Sequence, residues 1–156
     1  MAADASATEA GTVIVRETRR GLFQQEIISG PHRLIADEPV NVGGLATGPG
    51  PYELLLAALG ACTSMTLRLY ADRKKMPLTR TQVRLRHSRI YAKDCAECET
   101  KEGTIDRIER VITLEGDLAA EQRTRLMEMA DKCPVHRTLQ SEIDIRTTEE
   151  LVGSSE

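Results

Sequence analysis

The chain has 156 residues, 40% of them hydrophobic and 29% charged, with a formal net charge of −3. That length suits one globular domain. The slight acidity, with no basic face interleaved with aromatics, excludes a nucleic-acid-backbone binder. Three Tyr, one Phe and no Trp leave a core of Leu, Ile, Val, Met and Ala.

Residues 1–11 have no basic start and no apolar run, so they read as a disordered tail and not a signal peptide. Residues 148–156 read as a second tail, around a domain at 12–147. Without a secretory signal the expected compartment is a reducing cytoplasm, where four cysteines are catalytic, metal-binding or buried thiols before they are structural disulfides.

Thr12–Arg16, Leu22–Ile28 and His32–Ala36 predict three short strands. The turns between them fall at Arg19-Arg20-Gly21 and Ser29-Gly30-Pro31. The charges of Asp37, Glu38, Arg19 and Arg20 read as solvated turn charges. Gly43, Gly44, Gly48 and Gly50 make no phosphate cradle, because the Lys-Ser/Thr pair and a GxGxxG pattern are both missing. They let the loop turn into the next element.

Pro51 suits the first turn of a helix, and Glu53 favours the positive end of its dipole. The helix is predicted to run to about Lys74, before Met76-Pro77. From Leu54 to Leu67 it is apolar or small on nearly every face, which predicts burial all round. The 14-residue run is short for a membrane span. A domain this small cannot wrap such a helix alone, so a second subunit is expected to cover part of it.

Residues 82–88 alternate, with Val83 and Leu85 inward, and 105–114 carry Ile108, Ile112 and Leu114 in step; these predict a pair of strands. Asp117 is the expected N-cap of an amphipathic helix over Leu118–Lys132, with Leu118, Leu126, Met129 and Ala130 on one face. Cys133-Pro134 starts a further helical turn, and Glu142–Arg146 alternates as a last strand. The order βββ-α-ββ-α-β is α+β, with antiparallel sheets and a long buried central helix.

Two cysteines occupy unlike settings. Cys62 lies inside the apolar helix, where a lone cysteine usually packs as a small apolar group. Cys133, 71 residues later, precedes Pro134 as an N-cap residue would. Backbone N–H groups there favour a thiolate, with Lys132, His136 and Arg137 nearby. The same spacing also fits a cysteine that only caps a short helix. Cys95 and Cys98 form a CxxC between the middle strands. No second CxxC completes a zinc site in one chain, although two copies of the loop could supply four sulfurs. No thioredoxin-like βαβ surrounds the pair, and Asp94, Glu97 and Glu99 would raise a thiol pKa. The order of readings is solvated thiols first, then a disulfide or a metal clip.

The segment from Gly48-Pro49-Gly50-Pro51-Tyr52-Glu53 through Cys62-Thr63-Ser64-Met65 resembles the first cysteine motif of the OsmC/Ohr family. The segment Asp131-Lys132-Cys133-Pro134-Val135-His136-Arg137-Thr138-Leu139 resembles the second. The resemblance runs over about residues 12–147. It implies an intertwined homodimer with its cysteine helices between subunits. It also implies a thiol-dependent peroxidase activity on organic hydroperoxides, of the kind that serves oxidative-stress responses. Cys62 would be the peroxidatic thiolate and pass through a sulfenic acid, and Cys133 would condense with it to a disulfide. An external dithiol, in some members a lipoyl group on a protein, would reduce the pair, with no metal or organic cofactor. The family glutamate directly after the motif proline is replaced by Tyr52, with Glu53 one place later. The family arginine on the N-terminal strands would correspond to Arg19 or Arg20, with Arg16 behind. Tyr52 and the Cys95/Cys98 loop resemble a less characterised branch. A second reading is therefore a non-catalytic protein that holds a small or thiol-reactive ligand in the same dimer-interface pocket.

Overall fold

The computed structural model describes residues 9–151. The outer parts of both predicted tails, 1–8 and 152–156, lie outside the described residues. In chain order the elements are β1 (Ile14–Glu17), β2 (Gln25–Ser29), β3 (His32–Ala36), α1 (Pro51–Arg73), β4 (Arg80–Tyr91), β5 (Thr104–Glu115), α2 (Ala120–Ala130) and α3 (Pro134–Leu139). The fold is α+β. The described residues fall into two compact units. One holds the residues up to Ala58 and Leu85–Glu109; the other holds Leu59–Arg84 and the residues from Arg110 on.

In the first unit β1, β2 and β3 form an antiparallel sheet in that order. Ile14 lies opposite Ile28, and Ser29 opposite His32. The second register leaves a two-residue hairpin, with Gly30 at φ 54° followed by Pro31. Such short turns need a residue that tolerates positive φ, and their twist matches that of the strands.

The loop after β3 is held by a polar chain with Gln24 and Asp37 buried. The Thr18 hydroxyl donates to Gln24 Oε1, Gln24 Nε2 donates to Thr47 Oγ1, and Thr47 Oγ1 donates to Asp37 Oδ2 at 2.6 Å. Asp37 also accepts from the backbone N–H groups of Glu38, Leu45 and Thr47. This overturns the reading of Asp37 as a solvated turn charge: it is 2% exposed. Its carboxylate replaces water with four directed donors, which is what makes a buried acid tolerable. The Thr47 hydroxyl, helped by those backbone N–H groups, holds its pKa below the ordinary 3.8 against the opposing effect of burial. Gly44 is required in this loop, since a Cβ there would stand 1.8 Å from the Glu38 carbonyl oxygen.

The second unit has an aliphatic core of Leu67, Ala71, Leu78, Leu118, Leu126 and Ala130, with Ile112, Leu114 and Met129 packed against it. It joins the C-terminal part of α1 to the predicted apolar face of α2. The N-cap of α2 is Ala119 and not Asp117, and the Gln122 side chain accepts from the Ala119 N–H. Gly116, at φ 135°, passes so close to Pro77 that a Cβ would lie 2.0 Å from its carbonyl oxygen. β4 and β5 pair over twelve residues each, and Thr79 N–H donates to the Glu115 carbonyl at one end of the ladder.

A further expectation fails. Residues 142–146 form no strand, and Ile145 is 83% exposed. An alternating pattern becomes a strand only beside an open edge, and among the described residues none is paired with it. α1 buries one face within its own chain. Its buried residues are Leu59, Gly60, Thr63, Leu67 and Ala71, one stripe, while Leu55, Met65 and Leu69 are exposed. At 23 residues the helix is, by length and composition alone, sufficient to cross a membrane, unlike the 14-residue run within it.

Because the folded pKa of Asp37 lies below 3.8, its ionised form stabilises the fold above that value, and this contribution is lost as pH falls through the lowered pKa. Asp37→Asn is expected to melt at lower temperature than the parent at pH 7. The gap should narrow as both are acidified below pH 3.8; a constant gap across a calorimetric pH series would refute this account.

Candidate functional site

The second unit brings Cys62 and Cys133 together. Both are free thiols. Cys62 is carried by α1 and is half-buried; Cys133 is 0% exposed. The two sulfurs are near enough for each to shift the ionisation of the other.

Cys133 is the N-cap of α3, with Pro134 at the first helical position. Its Sγ accepts the His136 backbone N–H at 3.4 Å. This is an orphan donor of the first turn, which a cap residue normally satisfies with oxygen. The His136 ring points elsewhere, with Nδ1 4.0 Å from Asp131 Oδ1. The Thr63 hydroxyl lies 3.9 Å from Cys133 Sγ and donates to the Leu59 carbonyl at 2.7 Å.

The two thiols are driven apart electrostatically. Burial pushes Cys133 up. The His136 N–H, the Cys62 thiol, the Thr63 hydroxyl and the Val135 N–H together outweigh it and hold Cys133 below its ordinary 9.0. Burial pushes Cys62 up as well. The negative sulfur of Cys133 adds to that, and the Val135 N–H and Thr66 hydroxyl do not compensate. Of the two, Cys133 is thus the more acidic thiol and Cys62 the less acidic.

Arg110 completes the arrangement. Its guanidinium donates to Thr63 Oγ1 at 2.9 Å, to the Ala130 carbonyl at 3.2 Å and to Asp131 Oδ1 at 2.8 Å. With a side chain 12% exposed, it ties α1 to the end of α2 beside the cysteines. Sequence reasoning missed Thr63, Thr66 and Arg110. A signal for Arg110 was present: it falls in the inward phase of β5, in step with Ile108, Ile112 and Leu114. A charge in that phase needs buried partners.

The other predicted site residues lie in the first unit. Arg19, at φ 62°, pairs with Glu17 at the turn after β1; Arg20 is exposed in the same turn. Arg16 pairs with Glu26 across the β1–β2 ladder at 2.8 Å. Glu53 accepts the Gly50 N–H at 2.8 Å, so its carboxylate closes the first turn of α1. Tyr52, 58% exposed, stacks on the His87 ring with centroids 4.3 Å apart, and His87 Nε2 lies 2.9 Å from Asp106 Oδ1. Cys95 and Cys98 are joined in a disulfide, which corrects the expectation of solvated thiols. Their hairpin loop holds the two Cα atoms 5.4 Å apart, within the span a disulfide needs. No group of three or more His, Cys, Asp or Glu among the described residues is placed to hold a metal ion.

Residues 44–148 match the family model described as OsmC-like protein, and the chain belongs to that family. Solved structures similar to it include an OsmC like protein from Mycoplasma pneumoniae, 23% identical with a TM-score of 0.61 over 83% of this chain and 84% of that one. An organic hydroperoxide resistance protein OsmC from Legionella pneumophila is 21% identical, with a TM-score of 0.59 over 85% and 90%. The organic hydroperoxide resistance protein OhrB of Bacillus subtilis is 21% identical, with a TM-score of 0.56 over 85% and 92%. These likenesses establish the fold. No curated protein is significantly similar in sequence.

The reduced protein is expected to ionise in two steps, Cys133 below and Cys62 above pH 9.0. The Cys133 contribution to stability is present above that value and is lost as pH falls through the lowered pKa. The Cys62 contribution is full below it and is lost as pH rises through the raised pKa. Thr63→Val should move the first step of the ultraviolet thiolate titration upward. A first step unmoved by the substitution would remove Thr63 from the site.

Proposed function

We propose that this OsmC-like protein is a thiol-dependent peroxidase that reduces organic hydroperoxides through Cys62 and Cys133. The observation that carries the reading is a neighbouring pair of free thiols with divided properties: Cys62 half-exposed with its pKa raised, Cys133 buried with its pKa lowered. Membership of a family whose solved relatives include organic hydroperoxide resistance proteins supports it.

Access selects Cys62 as the attacking sulfur, because Cys133 is fully buried. A thiol is a poor nucleophile, so Cys62 first gives up its proton, with the neighbouring, more acidic Cys133 in its thiolate form as the acceptor. The Cys62 thiolate attacks the terminal oxygen of the hydroperoxide, the O–O bond breaks, and Cys62 becomes a sulfenic acid. The departing alkoxide takes the proton from Cys133 and leaves as alcohol. The Cys133 thiolate then attacks the sulfenic sulfur, forming the Cys62–Cys133 disulfide and releasing hydroxide. An external dithiol, free or as a lipoyl group on a protein, returns both thiols by exchange.

A homodimer is part of the proposal. Leu55, Met65 and Leu69 leave a continuous apolar face on α1, and Val13, Val15 and Leu34 are exposed in the first unit. A second copy that covers the α1 face would also screen the substrate path from water, a setting in which Glu53, Arg19 or Arg20 of that second copy could reach the reacting sulfur.

A second reading, ligand binding without turnover, is favoured by Tyr52 and its stack on His87 at the place where the family peroxidases carry glutamate.

Titration with cumene hydroperoxide is expected to consume one equivalent per chain and to yield a Cys62–Cys133 disulfide by peptide mapping. Cys62→Ser should lose at least about 100-fold in rate, on the order of the loss when an essential nucleophile is removed. Cys133→Ser should stop at a trappable sulfenic acid. Thiols that survive excess hydroperoxide in the native protein would reject the peroxidase. Saturable ligand binding that persists in Cys62→Ser would then support the second reading. Met65→Asp, which puts a charge on the open α1 face, should convert the dimer to monomer in sedimentation analysis. A parent protein that sediments as a monomer would reject the dimer.

A further inference from the structure

The chain carries a second pair of sulfurs that the peroxidase reading does not use. Cys95 and Cys98 are bonded to each other in the loop between β4 and β5, three positions apart, while Cys62 and Cys133 are free. We propose that Cys95–Cys98 is a separate thiol–disulfide exchange site that accepts two electrons from an external dithiol.

The bond has little structural work to do in this place. A disulfide restricts the unfolded chain in proportion to the loop it closes, and a loop of this length gains least. The hairpin is already closed outside it, where the Ala92 N–H donates to the Gly103 carbonyl at 2.9 Å. Within it, Cys95 N–H donates to the Ala92 carbonyl at 3.1 Å and Lys101 Nζ to the Ala96 carbonyl at 3.3 Å. Reduction therefore leaves the turn with its own hydrogen bonds. Of the first unit's buried side chains only Ala92 adjoins the loop in sequence, and its backbone is held by hydrogen bonds to Gly103 and Cys95 apart from the disulfide.

Access also separates this pair from a buried clip. Both cysteines are half-exposed, and Ala96, Glu97 and Glu99 around them are exposed. An incoming thiolate can reach the sulfurs, which exchange requires.

Charge defines the reaction partner. Asp94, Glu97, Glu99 and Glu102 outnumber Lys93 and Lys101 in the loop. The carboxylates repel an anionic monothiol. A dithiol overcomes this because its second sulfur closes a ring. In the first step a thiolate of the dithiol attacks one loop sulfur, the Cys95–Cys98 bond breaks, and the released sulfur takes a proton. In the second, the other thiol of the dithiol attacks the mixed disulfide, frees the second cysteine as a thiol and closes the partner's own disulfide. Two electrons and two protons pass from dithiol to loop.

The site stands whether or not the peroxidase reading does, and its test is read on different sulfurs. The native protein is equilibrated with mixtures of reduced and oxidised dithiothreitol, quenched with N-ethylmaleimide and mapped by peptide mass. Adducts on both Cys95 and Cys98 should appear with reduced dithiothreitol and disappear on return to the oxidised form. The Cys62→Ser/Cys133→Ser double variant should show the same two adducts by intact mass, and the unaltered protein supplies the answer if that variant does not fold. Glutathione at equal thiol concentration should be at least about tenfold slower, the factor expected of access and charge acting together. Melting temperatures of the loop-reduced and loop-oxidised forms should agree within about 4 °C. Cysteines that stay unlabelled under native conditions but label after denaturation would overturn the proposal, as would a larger fall in melting temperature on reduction. Faster reduction by glutathione would overturn the assignment to a dithiol.

Discussion

α1 is a helix with more apolar surface than one chain can cover. Twenty-three residues long, it offers only one stripe to its own fold: Leu59, Gly60, Thr63, Leu67 and Ala71. Leu67 and Ala71 enter the core with Leu126 and Ala130 of α2. Thr63, a turn earlier on the same stripe, meets Arg110 and Cys133. Packing the stripe and building the cysteine site are thus one event, and Cys62, the neighbour of Thr63, comes to the edge of the packed surface where it is half-exposed. The apolar residues on the other faces of α1 are what a second copy would be needed for.

The chemistry of the pair follows from that placement. Burial by itself raises both thiols. What distinguishes them is the supply of donors: Cys133 sits where a helix begins and its N–H groups are unsatisfied, and Cys62 sits inside a helix whose N–H groups are already used. The sulfur that substrate cannot reach is therefore the more acidic of the two.

The first unit uses a different means. Gln24 and Asp37 are buried polar groups joined through Thr47 into one chain of donors and acceptors, and the glycines around them let backbone approach backbone. Satisfied networks of this kind hold a loop in a single arrangement. Here the loop is the one that leads into Pro51 and the start of α1, where Glu53 closes the first turn.

Much of this was readable in the residues themselves, because it is local. Pro51 and the Met76-Pro77 break set the ends of α1, Gly30-Pro31 set the hairpin, and Pro134 marked Cys133 as an N-cap; each depends on φ restrictions or missing donors that need no neighbour. The two cysteine segments carried the family resemblance for the same reason. Tertiary structure decided whatever depends on a partner far along the chain. The alternation at Glu142–Arg146 formed no strand, and Asp37 turned from a solvated charge into a buried acceptor. Arg110 reached across 47 residues to Thr63. Which thiol is the more acidic belongs to this second class, since a pKa is set by the groups that surround a sulfur in space and not by those beside it in sequence.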